Sequence, residues 1–140
     1  MAATQQLIEE HRGQWLRNRR FLGCIPPEHN DWLVTAAFYA ALHAVDTLLL
    51  IKGHSTHSHG SRNAILSQTR QLMAVNRAYR PLYDLSRTVR YVPDPRLWVP
   101  ADQVEPRVLR RCLYPIEASV QKLGGFELSL EPVVLTREAG

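Results

Sequence analysis

Residues 31–53, DWLVTAAFYAALHAVDTLLLIKG, decide the fold. Asn30 or Asp31 can cap the start of a helix over this stretch, Gly53 can take the left-handed conformation that ends one, and neither proline nor glycine interrupts the residues between. Apolar side chains fall on nearly every face, so the helix is either the centre of a bundle or a membrane span. Length suits both. His43 and Asp46 inside the stretch, with Asp31 and Lys52 at its ends, favour the bundle, because ionisable groups are expensive in hydrocarbon. The expectation is an all-α protein, not a membrane one, whose other segments pack around this helix.

Working outward, Leu7, Ile8, His11, Trp15, Leu16 and Arg19 recur at helical spacing and predict an amphipathic first helix from about Thr4 to Leu22. Pro26 and Pro27 stop it and make an extended link into the central helix. Beyond Gly53 the polar, histidine-rich HSTHSHGSRN reads as a loop feeding a third helix that starts near Ser58 to Ser61. Pro81 is expected to end or kink that helix and to open a fourth, running to Val92. VPDPRLWVPADQ reads as an ordered loop pinned by Trp98. The last helix is expected from about Ala101 to Leu123, kinked at Pro115 and ended by Gly124 and Gly125. The alternating FELSLEPVVL then predicts a short strand or extended arm lying along the bundle or a partner. The division is a bundle over 1–125 and a tail over 126–140.

The chain has 140 residues, 45% of them hydrophobic, enough for one domain with its own core. The net charge is +4 and the only lysines are Lys52 and Lys122. Arginine's planar fork suits phosphate and carboxylate, so this bias points to an anionic partner, although a GC-rich genome gives the same composition. Cys24 and Cys112 are too few for a disulfide framework or zinc ribbon, and the charged N-terminus lacks the apolar core of a signal peptide, so a cytoplasmic setting is expected.

Three groups of residues carry chemical interest. On the fourth helix, 100° steps put Leu82, Leu85, Val89 and Val92 on an apolar stripe, with Tyr83, Arg87 and Arg90 roughly opposite and Tyr91 at the margin. Arginines grip phosphate oxygens in pairs and tyrosines add a hydroxyl and a stacking ring, so this face suits a phosphorylated ligand; the competing reading is a solvated or dimer-packing face. The second group is His54, His57 and His59, followed by Arg62 and Asn63. With no cysteine near and no carboxylate in the loop, a metal site is disfavoured and neither metal nor cofactor is expected. A proton-transfer role for a loop histidine is chemically open, and the competing reading is a polar capping loop, which suits His54 and His57 better than His59. The third is Tyr39, His43 and Asp46 on one side of the central helix, where burial demands partners and suggests a network reaching the arginines of the fourth helix; the competing reading is a purely structural network. Trp15, Trp32 and Trp98 read as core or interface anchors. Ser55, Ser58 and Ser61 lack the strained elbow of a serine nucleophile, and no glycine-rich phosphate loop is present.

The order FYAALHAVDTLLLIKG, a short loop with His59 and Arg62-Asn63, YRPLYDLSRTVRY, a proline-bearing loop and a closing helix resembles the HEPN superfamily (higher eukaryotes and prokaryotes nucleotide-binding) over about Asp31 to Leu123. The resemblance implies an up-and-down four- or five-helix bundle, commonly a homodimer, with a polar cleft where protomers meet. It further implies binding of RNA or a nucleotide through His43, Arg62, Asn63, Tyr83, Arg87, Arg90 and Tyr91, in a toxin-antitoxin or defence context, with a nucleotidyltransferase as one kind of partner. Many members resemble one another in being metal-independent ribonucleases built on an arginine followed four to six residues later by a histidine. This sequence departs from that spacing, because no histidine follows His59 and Arg62 reaches Gln68 instead. An endoribonuclease here would use His59 or His43 as proton carrier and Arg87 or Arg90 to stabilise the developing charge, and a non-catalytic bundle that binds a protein partner is the alternative.

Overall fold

The computed structural model describes residues 2–136. It is an all-α up-and-down bundle with no strand among the described residues. Five α-helices are α1 (Ala2–Leu22), α2 (Asn30–Ile51), α3 (His59–Gln68), α4 (Met73–Tyr91) and α5 (Tyr114–Gly124), and a π-helical segment, Glu105–Leu113, leads directly into α5.

At the centre, α2 contacts α1, α4, α5 and the π segment. Ala36, Ala37, Ala40, Ala41 and Ala44 are all buried, and their small side chains let neighbouring backbones approach from several directions. Long and apolar enough to cross a membrane, α2 has most of its surface covered by the rest of the bundle. Its end follows the expected chemistry. Gly53 has φ +86°, His54 N–H donates to Leu49 O and Gly53 N–H to Leu50 O, the paired bonds of a Schellman ending. Its start does not. Asn30 and Asp31 lie inside the first turn, and Asn30 Nδ2 donates instead to Val99 O at 2.7 Å, tying the helix to the loop before the π segment.

The break between α3 and α4 falls at Thr69, which is extended at φ −104° and ψ 109°, and not at Pro81, which sits inside α4. Packing explains the position. Leu66 and Val75 are nine residues apart and on one continuous helix would point about 180° from each other. Both are completely buried, which the bend across Thr69 and the 3₁₀ turn Arg70–Leu72 makes feasible. Pro81 and Arg77 are exposed, so water can reach the carbonyl that Pro81 leaves without a donor.

Pro115 brings no simple kink either. Tyr114 N–H reaches back five residues to Leu109 O, and this widened turn relieves the clash a proline ring makes with the carbonyl four residues earlier in an α-helix. Along this last helix Val104, Val108, Leu109, Cys112, Leu113, Ile116 and Val120 are buried and Leu123 is half-buried.

After Gly125, at φ +71°, the tail runs along the bundle without forming a strand. Leu128 N–H donates to Gln121 Oε1, Val133 N–H to Tyr114 Oη, and Thr136 Oγ1 to Gly23 O. Residues 137–140 of the expected tail lie outside the described residues. Under it, Glu117 is buried and accepts from Trp15 Nε1 at 2.7 Å and Arg19 Nε at 2.8 Å.

Candidate functional site

Phe38 of α2 is the hub of the polar cluster. Its ring centroid lies 5.9 Å from those of His59 and Tyr83 and 5.8 Å from that of Tyr79, and the rings of His59 and Tyr83 are 5.7 Å apart. His59 occupies the first turn of α3 because Ser58 and Ser61 form a reciprocal capping box that fixes where the helix begins. Tyr79 and Tyr83 are one turn apart on α4 and therefore share a face.

The arginines differ in how they are held. Arg62 is buried and forks onto Asp46, with Nε to Oδ1 at 2.7 Å and Nη2 to Oδ2 at 2.9 Å, while its Nη1 lies 3.3 Å from His59 Nδ1. Thr56 Oγ1 also donates to Asp46. Burial opposes the Arg62 charge, but the Asp46 carboxylate outweighs it and raises the pKa further. Among the described residues Arg90 has only neutral oxygens as acceptors: Tyr39 Oη at 3.1 Å, Ser86 O at 3.1 Å and Ser86 Oγ at 3.3 Å. Its Cζ lies 5.2 Å from the Phe38 centroid, 5.7 Å from Tyr39 and 5.3 Å from Tyr91. Arg87 is exposed, with its Cζ 6.0 Å from the Tyr83 centroid.

His59 is thus a half-buried imidazole among cations. Burial lowers its pKa first, the nearby charges of Arg62, Arg90 and Arg87 lower it again, and Asp46 opposes them only in part. The shift favours the neutral imidazole, the form able to accept a proton. Tyr79 Oη is buried without a hydrogen-bond partner among the described residues, and burial pushes its pKa up.

His59, Tyr83 and Arg90 therefore border the Phe38 ring, and Arg62, Arg87 and Tyr91 join at one remove, through His59, Tyr83 and Arg90 in turn. Asn63 is half-buried on α3, with its Oδ1 lacking a hydrogen-bond partner among the described residues. His43 is tied elsewhere: its Nδ1 is 2.9 Å from Nδ1 of His11 on α1. Burial, and then the charge-charge cost toward His11, bring the His43 pKa down to about 4. The Tyr39 part of the expected network does reach an arginine of α4, whereas Asp46 reaches Arg62 of α3. His54, His57 and His59 do not gather with acids into a metal-holding group among the described residues.

The arginine face is also not opposite the buried stripe of α4. Taking Tyr83 as zero, Leu82, Val89 and Ser86 fall at about 260°, 240° and 300°, and Arg90 at about 340°. Ser86 and Tyr79 are as buried as Leu82, so Arg90 borders the core instead of facing away from it. Sequence reading missed Phe38, Asp46 as the partner of Arg62, and His11. The available signal was burial: His11 and His43 both interrupt apolar helix faces, and two such groups satisfy each other. In comparisons with family models, characterised proteins and solved structures, nothing matched the chain.

Proposed function

We propose that this chain is a HEPN-like protein that binds RNA or a nucleotide through the surface formed by His59, Tyr83, Arg87 and Arg90, at or near a homodimer interface. The observation that carries the reading is Arg90: a guanidinium bonded, among the described residues, only to neutral oxygens and bedded on aromatic rings. Phosphate oxygens complete such a site, since charge-assisted bonds to an anion are about twice as strong as those to neutral acceptors. Tyr83 and Tyr91 offer ring faces for a base, and Arg87 a second cation. Arg62 is already matched by Asp46, so its part is to hold α3, and with it His59, against α2. Trp32 and Tyr91, 57% and 69% exposed, supply apolar surface for a second protomer.

The test is a salt-controlled titration with single-stranded RNA and with a mononucleotide. Changing Arg87 and Arg90 together to alanine is expected to lower affinity by roughly tenfold or more and to reduce the slope of log affinity against log salt by about 1.4, at 0.7 for each single-strand phosphate released. Unchanged affinity sinks the proposal and favours a bundle whose ligand is another protein, a nucleotidyltransferase among the candidates, in a toxin-antitoxin or defence setting.

A ribonuclease reading rests on the neutral His59. The imidazole would take the 2′-hydroxyl proton as the 2′-oxygen attacks phosphorus. The bond to the 5′-oxygen then breaks, that oxygen takes a proton from water, and Arg87 and Arg90 offset the charge that builds on the phosphoryl oxygens. The products are a 2′,3′-cyclic phosphate and a 5′-hydroxyl. Cleavage in chelator that His59→Ala abolishes supports this version. Binding without cleavage leaves the protein a binding module.

A further inference from the structure

From Thr47 through Tyr83 the chain holds no aspartate or glutamate, while Lys52, Arg62, Arg70, Arg77 and Arg80 all fall in that span. Of these, Arg62 is neutralised by Asp46 and Arg80 is loosely paired with Asp84 at 3.6 Å in an exposed i, i+4 bridge, a kind worth little. Arg70 and Arg77 are exposed and have no carboxylate within ion-pair distance among the described residues. They line an open notch at the α3–α4 bend together with Ser67, Gln68, Met73 and Asn76. Its polar lining is two guanidiniums, two carboxamides and a hydroxyl, a set able to grip phosphate oxygens with no acid to repel them.

The notch is connected to the His59 cluster by one strip of α4. Asn76, Tyr83 and Arg90 repeat at intervals of seven, as do Arg80 and Arg87, so each set stays within about 40° of one line along the helix. Arg80 Cζ lies 5.3 Å from the Tyr83 centroid and Arg87 Cζ 6.0 Å from the same ring on the way, so cations and an aromatic face alternate between the two ends. Arg77 and Arg87 are ten residues apart, about 15 Å along the axis and about 80° around it, so Arg77 stands to one side of the strip, on the notch. At about 3.4 Å per stacked nucleotide, that span matches roughly four to five nucleotides of a single strand.

We propose that the α3–α4 notch is a second phosphate subsite, and that the ligand is a single-stranded oligonucleotide running along α4 from Arg90 to Arg70 and Arg77. This rests on the proposed nucleic-acid reading and specifies it: the natural ligand is a chain several nucleotides long, not a mononucleotide. Alternating guanidiniums and a ring suit a sequence-tolerant backbone track.

Binding of a mononucleotide and of a hexanucleotide to the full chain tests it, for the parent protein and for Arg70→Ala with Arg77→Ala; circular dichroism confirms that both are folded. The expected result is at least tenfold tighter binding of the hexanucleotide. In the variant the hexanucleotide affinity falls toward that of the mononucleotide, and its salt slope drops by about 1.4. Equal affinity for the two lengths, or a hexanucleotide affinity indifferent to Arg70 and Arg77, overturns the subsite while leaving the His59 surface as a nucleotide site. No binding of either ligand overturns both.

Discussion

Arg62 and Arg90 flank the same histidine and differ in one respect. Around Arg62, a carboxylate accepts two bonds, a threonine hydroxyl supports that carboxylate, and the residue is 6% exposed. Around Arg90, every acceptor among the described residues is neutral and the charge lies over rings. The first cation is used up inside the molecule, and its task is to join two helices. The second is positioned but electrostatically unmatched, as expected of a group that meets its counterion in a ligand. Proximity to a candidate site is therefore a poor guide to role, and the partner's charge is a better one.

That contrast can be broken most directly at Asp46. Asp46→Ala leaves a buried guanidinium without its counterion and is expected to cost about 3–5 kcal/mol in urea unfolding, with most of the loss recovered when Asp46→Leu is combined with Arg62→Met. A cost below about 1 kcal/mol would mean that water reaches Arg62 freely and that the two arginines are alike. Arg90→Ala should give the reverse profile. Its stability cost is about 1 kcal/mol, the worth of ordinary hydrogen bonds to neutral groups, while ligand affinity drops as set out above.

A smaller and purely pH-dependent effect is expected at His43. Its pKa is lowered from 6.5 to about 4 by burial and by His11, with Arg62 adding to the shift and Asp46 opposing it. The unfolded chain takes up that proton more readily, so the His43 contribution is fully present above pH 6.5 and is lost as pH falls toward 4. His43→Asn is expected to flatten that part of the acid limb, and an NMR titration of the parent should find the ring still neutral at pH 5. A ring that titrates near 6.5 would sever His43 from the buried side of the comparison.

The central helix was legible because its signal is local: an uninterrupted apolar run and a glycine where the chain must turn left-handed. The α3–α4 break was misplaced because Pro81 is the stronger local punctuation, while the burial of both Leu66 and Val75 is decided by tertiary packing. The site divides in the same way. Tyr83, Arg87 and Arg90 share one helix, so their common face follows from spacing alone. The Asp46–Arg62 pair spans two helices and sixteen residues, and the His11–His43 pair thirty-two, distances across which periodicity carries no information.

Among the side chains of α3 only Arg62 and Leu66 are buried, the thinnest attachment of any of the five α-helices. Local opening free energies scale with what an element buries, so α3 should detach and re-seat well before the bundle as a whole unfolds. His59 travels with it. The imidazole's access to solvent is then set by a local equilibrium on one short helix, and hydrogen exchange should find those amides the fastest of the helical ones, slowing when an anion bridges His59 to Arg90.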